Sequence, residues 1–259
     1  MLIATDLDGT LVPHDRVAPS ARTAEVLERA DCAGIPIVFV TARPLRWMED
    51  FWPHVGRHGL AIVSNGAVVY DAHAREPIAV HGLDPEVGLA VTEAITRTVP
   101  GATYAIECLD GIRRDPEFVE QYRVPEGSPV GPLEEIWDVP ALKLLVRHPG
   151  MDDDDLRAAT IAAVGTAATA TWSVGGLVEI SAAGVTKASA LVELCARLGI
   201  VADDVVAFGD MPNDIPMLAW AGTSYAMAGA HPDVVAAADH LAPPCAEDGV
   251  AQVVERLLG

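Results

Sequence analysis

The chain has 259 residues, 51% of them apolar, and its 17 Lys and Arg face 37 Asp and Glu, a formal charge of -20. That length can bury a sizeable core, and that composition belongs to a folded protein rather than a disordered one. The carboxylate excess works against nucleic acid and anionic membrane, whose binding needs Lys and Arg on phosphates. No stretch approaches the roughly 20 apolar residues of a membrane span and no basic leader opens the sequence, so a cytoplasmic protein is expected.

The first apolar run, Leu2 to Thr5, stops at Asp6-Leu7-Asp8-Gly9-Thr10, and a helical pattern runs from Ser20 through Leu27 to Ala30. A second strand is predicted at Ile35 to Val40, ending in Thr41-Ala42-Arg43-Pro44, and a third at Leu60 to Val63, ending in Ser64-Asn65-Gly66. Short, nearly continuous apolar strands separated by helices predict a parallel sheet covered on both faces. From about Asp71 to Ser181 the texture changes. Thr103 to Glu107, Ala141 to Arg147 and Ala170 to Val174 read as strands of a sheet with one exposed face, on which Arg113, Arg114, Lys143 and Arg147 are expected to be solvated. Asp152 to Asp155 precede Leu156 and an Ala-rich run. They are expected to cap a helix, because a calcium loop would need alternating ligands and a central Gly.

The earlier pattern then returns with an amphipathic helix from Lys187 to Leu198, a buried strand from Val205 to Phe208 and a helix start at Ile215 to Ala221. Ser224 to Met227 and Ala238 to Leu241 are further strand candidates. The predicted fold class is α/β. A doubly wound, Rossmann-like parallel-sheet core is built from residues 1–70 and 182–259, with an α+β domain of residues 71–181 inserted between Gly66 and Gly184. Cys32, Cys108, Cys195 and Cys245 are widely spaced and are expected to be buried free thiols.

Ligands of parallel α/β sheets bind outside the carboxyl ends of the strands, and Asp6, Thr41 and Asp210 fall at such ends. Of the pair Asp6 and Asp8, one carboxylate can attack phosphorus while the other handles protons. Asp210, with Asp214 one turn further on, adds oxygen ligands of the kind Mg²⁺ takes, and that cation would offset the repulsion between a carboxylate and a phosphate. Lys187 opens its helix after Thr186, where an ammonium can neutralise Asp6 and hold a phosphate oxygen.

The run Asp6-Leu7-Asp8-Gly9-Thr10, then Thr41, Lys187 and Gly209-Asp210-Met211-Pro212-Asn213-Asp214, in that order, resembles the four motifs of the haloacid dehalogenase (HAD) superfamily. An insertion after the third strand resembles the type IIB cap of the Cof-like sugar phosphatases. The resemblance implies a Mg²⁺-dependent phosphatase that hydrolyses a small phosphorylated metabolite, a sugar phosphate first among them, through an aspartyl-phosphate on Asp6. It implies Asp8 as general acid and base with its main-chain carbonyl on the metal, and Asp210 as the third protein ligand. Asp214 would act through water or as a brace, Thr41 and Lys187 would hold the phosphate, and Asn213 would contact it. Arg43 resembles the Arg after motif two in many type IIB members and is a candidate substrate contact, with a surface arginine as the competing reading. His14 is expected to be an ordinary loop residue.

Two alternatives stay open. A phosphomutase or other phosphotransferase would use the same motifs, although Thr10 to Thr41 leaves little room for a mutase's helical cap. A non-enzymatic phospho-aspartate switch domain would need neither the insertion nor the second Asp. Nucleotide binding is disfavoured, because neither G-x-x-x-x-G-K-S/T nor G-x-G-x-x-G occurs. Every residue assigned to phosphorus lies outside the insertion, which is therefore expected to set substrate choice.

Overall fold

A computed structural model describes residues 1–14 and 16–259. Residues 1–79 with 186–259 form one compact unit, and residues 80–185 form a second. The chain begins with β1 (Leu2–Thr5), α1 (Ala21–Cys32), β2 (Ile37–Val40), β3 (Leu60–Val63), β4 (Val68–Asp71) and β5 (Glu76–Val80). The insertion holds α2 (Pro85–Thr98), β6 (Thr103–Cys108), β7 (Gly111–Arg114), α3 (Leu133–Ile136), β8 (Lys143–Arg147), α4 (Asp153–Val164), β9 (Ala168–Thr171) and β10 (Val178–Ala182). Then come α5 (Lys187–Leu198), β11 (Val205–Gly209), α6 (Ile215–Trp220), β12 (Thr223–Met227), α7 (Pro232–Ala237), β13 (His240–Ala242) and α8 (Gly249–Leu258).

The first unit carries one sheet in the order β13-β12-β11-β1-β2-β3-β4-β5. Its strands run parallel from β13 to β3, and β4 turns back antiparallel to β3. This is the expected α/β core. The strands β1, β2 and β3 are buried throughout, which is why they read as unbroken apolar runs. Ala190, Leu191, Leu194 and Cys195 seat α5 on Val38, Val40, Ile62 and Ala207, each large apolar side chain contributing about 1.5–3 kcal/mol by its burial.

The contact boundaries fall after Ala79 and before Thr186, rather than at 71 and 181. The cause is the pair β4 and β5, which continues the core sheet past Asp71. Strand β5 is short, contains Pro77 and leaves all five of its residues partly or fully exposed, so it carries no apolar strand pattern.

The second unit has a five-stranded sheet in the order β7-β6-β8-β10-β9, antiparallel at every pairing. One face carries Tyr104, Ile106, Leu144, Val146, Val178 and Ile180 against Val91 and Ile95 of α2 and Leu156 and Val164 of α4. Asp152 caps α4 as expected, its side chain accepting from Asp154 N at 2.9 Å. The other face is not open. Ala105, Ile112 and Leu145 are covered by Phe118, Val124 and Leu177 from the connecting segments.

The basic residues there are engaged rather than solvated. Lys143 and Glu179 form a buried ion pair, with Ser173 Oγ donating to the second Glu179 oxygen at 2.7 Å. Arg113 donates to Ile136 O at 2.8 Å and pairs with Asp110 and Asp138. Arg147 reaches Gly176 O and Arg114 reaches Phe118 O.

Cys108 and Cys195 are buried and free, as expected, and burial pushes the Cys108 thiol up to about 12. Cys245 is half-buried, whereas Cys32, the last residue of α1, is exposed. No helix among the described residues is long and apolar enough to cross a membrane.

Removing one partner of a buried ion pair leaves an uncompensated charge. Lys143→Met should therefore lower stability by about 3–5 kcal/mol in urea titration. Arg97→Met, at an exposed helical pair with Glu93, should cost no more than about 0.5 kcal/mol. Equal costs would show that the Lys143 pair is not desolvated as described.

Candidate active site

Register places the site. Thr5 lies opposite both Phe39 of β2 and Phe208 of β11, so the residues that follow these three strands emerge side by side. Asp6 N donates to Phe208 O at 3.1 Å and Thr41 N to Ile62 O at 2.8 Å, which extends the ladders one residue past the strands. The chain then winds tightly, with Leu7 O accepting from the amides of Thr10, Leu11 and Val12. Gly9 makes this turn possible at φ +78°, and a Cβ there would stand 2.3 Å from Asp210 Oδ2. Thr10 Oγ1 donates to the other Asp210 oxygen at 2.7 Å, tying the first motif to the last across 200 residues.

Lys187 is delivered by the first position of α5, whose start is locked by a reciprocal capping box. Ser189 N donates to Thr186 Oγ1 at 3.0 Å and Thr186 N to Ser189 Oγ at 2.9 Å. The ammonium lies 2.8 Å from Asp6 Oδ1 and 2.6 Å from Asp214 Oδ1, with the three side chains 1%, 7% and 0% exposed. Burial opposes its charge, but Asp214 and Asp6 outweigh that effect and raise its pKa above the ordinary lysine value. Asp214 Oδ2 accepts from the amides of Asp210 and Met211, both at 3.0 Å, so both Asp214 oxygens are occupied by the protein itself.

Burial raises the Asp6 carboxyl well above its usual range; Lys187 opposes this, while Asp214, Asp210 and Asp8 add to it. Asp210 is pushed up to about 6 by burial and by Asp214, against the pull of the Thr10 hydrogen bond, Lys187 and His14. One oxygen from each of Asp6, Asp210 and Asp214 lies within 4.8 Å of the others. Three buried carboxylates against one ammonium leave negative charge unbalanced. Asp6 Oδ2 and Asp210 Oδ2 accept no hydrogen bond among the described residues. An all-oxygen donor set with surplus negative charge fits a hard divalent cation.

Asp8 stands outside this group. Arg43 grips both of its oxygens, Nε to Oδ2 at 2.8 Å and Nη2 to Oδ1 at 2.6 Å, and lies 4.7 Å over the Phe51 ring. Arg43 is therefore not the surface arginine of the competing reading, its side chain being 11% exposed. Its main-chain N–H donates to Thr41 Oγ1 at 3.0 Å, which leaves the Thr41 hydroxyl hydrogen free to donate elsewhere. Asn213 Nδ2 donates to Asn65 Oδ1 at 3.0 Å.

All eight residues singled out in the sequence thus belong to the first unit: Asp6 and Asp8 follow β1, Thr41 and Arg43 follow β2, Asp210, Asn213 and Asp214 follow β11, and Lys187 opens α5. Sequence reasoning missed the roles of Thr10, Asn65 and His14. The His14 ring lies beside Gly9 and acts on the Asp210 carboxylate, although nothing in its spacing set it apart from a loop residue.

A family model of haloacid dehalogenase-like hydrolases matches residues 3–254. A phosphoglycolate phosphatase of Methanothermobacter thermautotrophicus is 27% identical over 99% of this chain and 98% of its own. A pyridoxal phosphate phosphatase of Escherichia coli is 28% identical over 98% and 97%. A sugar phosphatase of HAD subclass IIB shares the fold with a TM-score of 0.82 at 22% identity, over 99% and 98% of the two chains.

Gly9 packs directly against Asp210, so Gly9→Ala should drive a methyl group into that carboxylate. Displacing a catalytic group by about 1 Å costs roughly 10²-fold in rate. A loss of kcat of that size is expected for Gly9→Ala with an unchanged far-ultraviolet spectrum. Near-normal kcat would show that this contact yields without consequence.

Proposed function

The chain belongs to the haloacid dehalogenase-like hydrolase family, and on that basis we propose that it is a phosphatase for a small phosphorylated metabolite, a sugar phosphate first among them, working through an aspartyl-phosphate on Asp6. The observation that carries the reading is the pair Asp6 and Asp8, two carboxylates two residues apart in opposite settings. One is buried against a lysine, while the other is 31% exposed and held by an arginine fork. Carboxylates kept in different environments can take different roles.

Asp6 attacks phosphorus with the oxygen that Lys187 does not hold. The P–O bond to the metabolite breaks as the P–O bond to Asp6 forms, and Asp8, which enters this step protonated, gives its proton to the departing alkoxide. Asp8 then takes a proton from water as that water attacks the phosphorus, which releases inorganic phosphate and restores Asp6. The third N–H of Lys187, the Thr41 hydroxyl and the Asn213 amide bind the phosphoryl oxygens. Arg43 orients Asp8 through both of its oxygens. Asp6, Asp210 and the main-chain carbonyl of Asp8 would hold Mg²⁺, with Asp214 bracing Lys187 and the Asp210 loop. Bound there, the cation would supply positive charge against the repulsion between carboxylate and phosphate.

The second unit contributes none of these residues, and the choice among metabolites is assigned to it. In support, the relatives named above act on phosphoglycolate and pyridoxal phosphate, leaving groups with little in common.

Asp6→Asn should abolish phosphate release from a panel of sugar phosphates while leaving the unfolding midpoint near wild type. Asp8→Asn should lower kcat by about 10²–10⁴-fold. Undiminished turnover by pure Asp6→Asn protein would sink the assignment of the nucleophile. EDTA should remove activity and excess Mg²⁺ restore it, and full activity after exhaustive chelation would rule out the metal role.

A further inference from the structure

Ser64, Asn65 and Gly66 have φ of 53°, 57° and 101°, three successive residues in the left-handed region. Glycine takes this conformation freely and asparagine tolerates it, but serine rarely does, so the turn is held in place by its surroundings. The surroundings are the site. Ser64 N donates to Arg43 O at 2.9 Å and Asn65 N to Thr41 O at 3.0 Å. Gly66 packs so closely on the N-cap of α5 that a Cβ would fall 2.1 Å from Thr186 O, one residue before Lys187. The Asn65 side chain accepts from Asn213, 148 residues away. One turn therefore touches all three segments that bear phosphate-binding residues.

A simple connection between β3 and β4 would account for the turn but not for its side chains. Ser64 and Asn65 are 0% and 2% exposed, and Ser64 Oγ, Asn65 Nδ2 and Asn213 Oδ1 are buried without a hydrogen-bond partner. Buried polar atoms are normally satisfied, so their retention beside a strained backbone points to a task other than stability. A terminal amide is nearly symmetric in shape, and either its N–H or its C=O can face a ligand. The bond between the two amides has Asn213 Nδ2 as donor and Asn65 Oδ1 as acceptor. It spends one N–H and fixes the side on which the other lies.

We propose that Asn65 is a positioning residue for phosphate binding: by accepting from Asn213, it keeps a donor rather than a carbonyl oxygen toward the phosphoryl group at Asp6. The inference rests on the proposed function, in which Asn213 contacts phosphate.

The test is a set of double-mutant cycles on the whole protein, reading Ki for inorganic phosphate as competitor of p-nitrophenyl phosphate, with kcat beside it. Asn213→Ala should raise Ki about tenfold. Asn65→Gly keeps the left-handed backbone but loses the amide, and should raise Ki severalfold with kcat within about threefold of wild type. In that background Asn213→Ala should add less than twofold, because the amide it removes is no longer oriented. Asn65→Asp retains both the backbone and an oxygen for Asn213 Nδ2, so in its background Asn213→Ala should again cost about tenfold. That second cycle factors out the added charge and stands alone if the glycine variant does not fold. If Asn213→Ala costs as much in the Asn65→Gly background as in the native protein, or costs nothing in the Asn65→Asp background, the positioning role is overturned and the phosphate contact survives. If Asn213→Ala leaves Ki unchanged in the native protein, the contact itself is lost, and the inference with it.

Discussion

A single buried ammonium, Lys187 Nζ, makes the rest of the site possible. Carboxylates removed from water lose their charge unless a partner or a metal compensates, and burial already raises the pKa of both Asp6 and Asp210. Lys187, bonded to both Asp6 and Asp214, counters part of that effect at Asp6. The helix that carries it must therefore be held in place. The capping box fixes where α5 starts, and four side chains against the sheet fix its face. Because one ammonium does not balance three carboxylates, the pocket still calls for a divalent cation. That cation and Lys187 together would attract a phosphate against the field of a chain with charge -20.

The two cations of the site serve different ends. Lysine offers a compact charge whose donors can be shared among Asp6, Asp214 and a ligand, while arginine offers a rigid fork that grips one carboxylate at two points. Asp6, the proposed nucleophile, has the compact partner and is almost inaccessible. Asp8, the proposed acid and base, has the fork and keeps contact with solvent. The separation follows from local geometry: Asp6 still lies in the β1 ladder, while Asp8 has entered the turn around Leu7 O.

The core fold was legible because its strands are buried on both faces, so Leu2–Thr5 and Leu60–Val63 appear in the sequence with the bounds they have in the structure. The motif residues were legible because polar groups at the ends of such strands interrupt an otherwise apolar text. Other features left no such trace. The edge strand β5 is half exposed and reads as loop. The second sheet alternates like one open to water on one face, yet Phe118, Val124 and Leu177 return from the connecting segments to cover it, and nothing in β6 or β8 announces that. Asn65 reads as a turn residue, which it is. Its bond to Asn213 depends on a tertiary approach that no local pattern encodes.

The sheet of the first unit places β1 between β2 and β11, strands drawn from the two ends of the chain. On a ribosome, β1 emerges early and then waits for β11 while some 200 residues are made, about 10–40 s at typical rates of synthesis. During that interval one edge of β1 has no partner, and Asp6 has neither Lys187 nor Asp210 beside it. The second unit is continuous in sequence and pairs antiparallel between close neighbours, so it can be complete before the first unit closes. The charged centre can thus be assembled only after the second unit has been made.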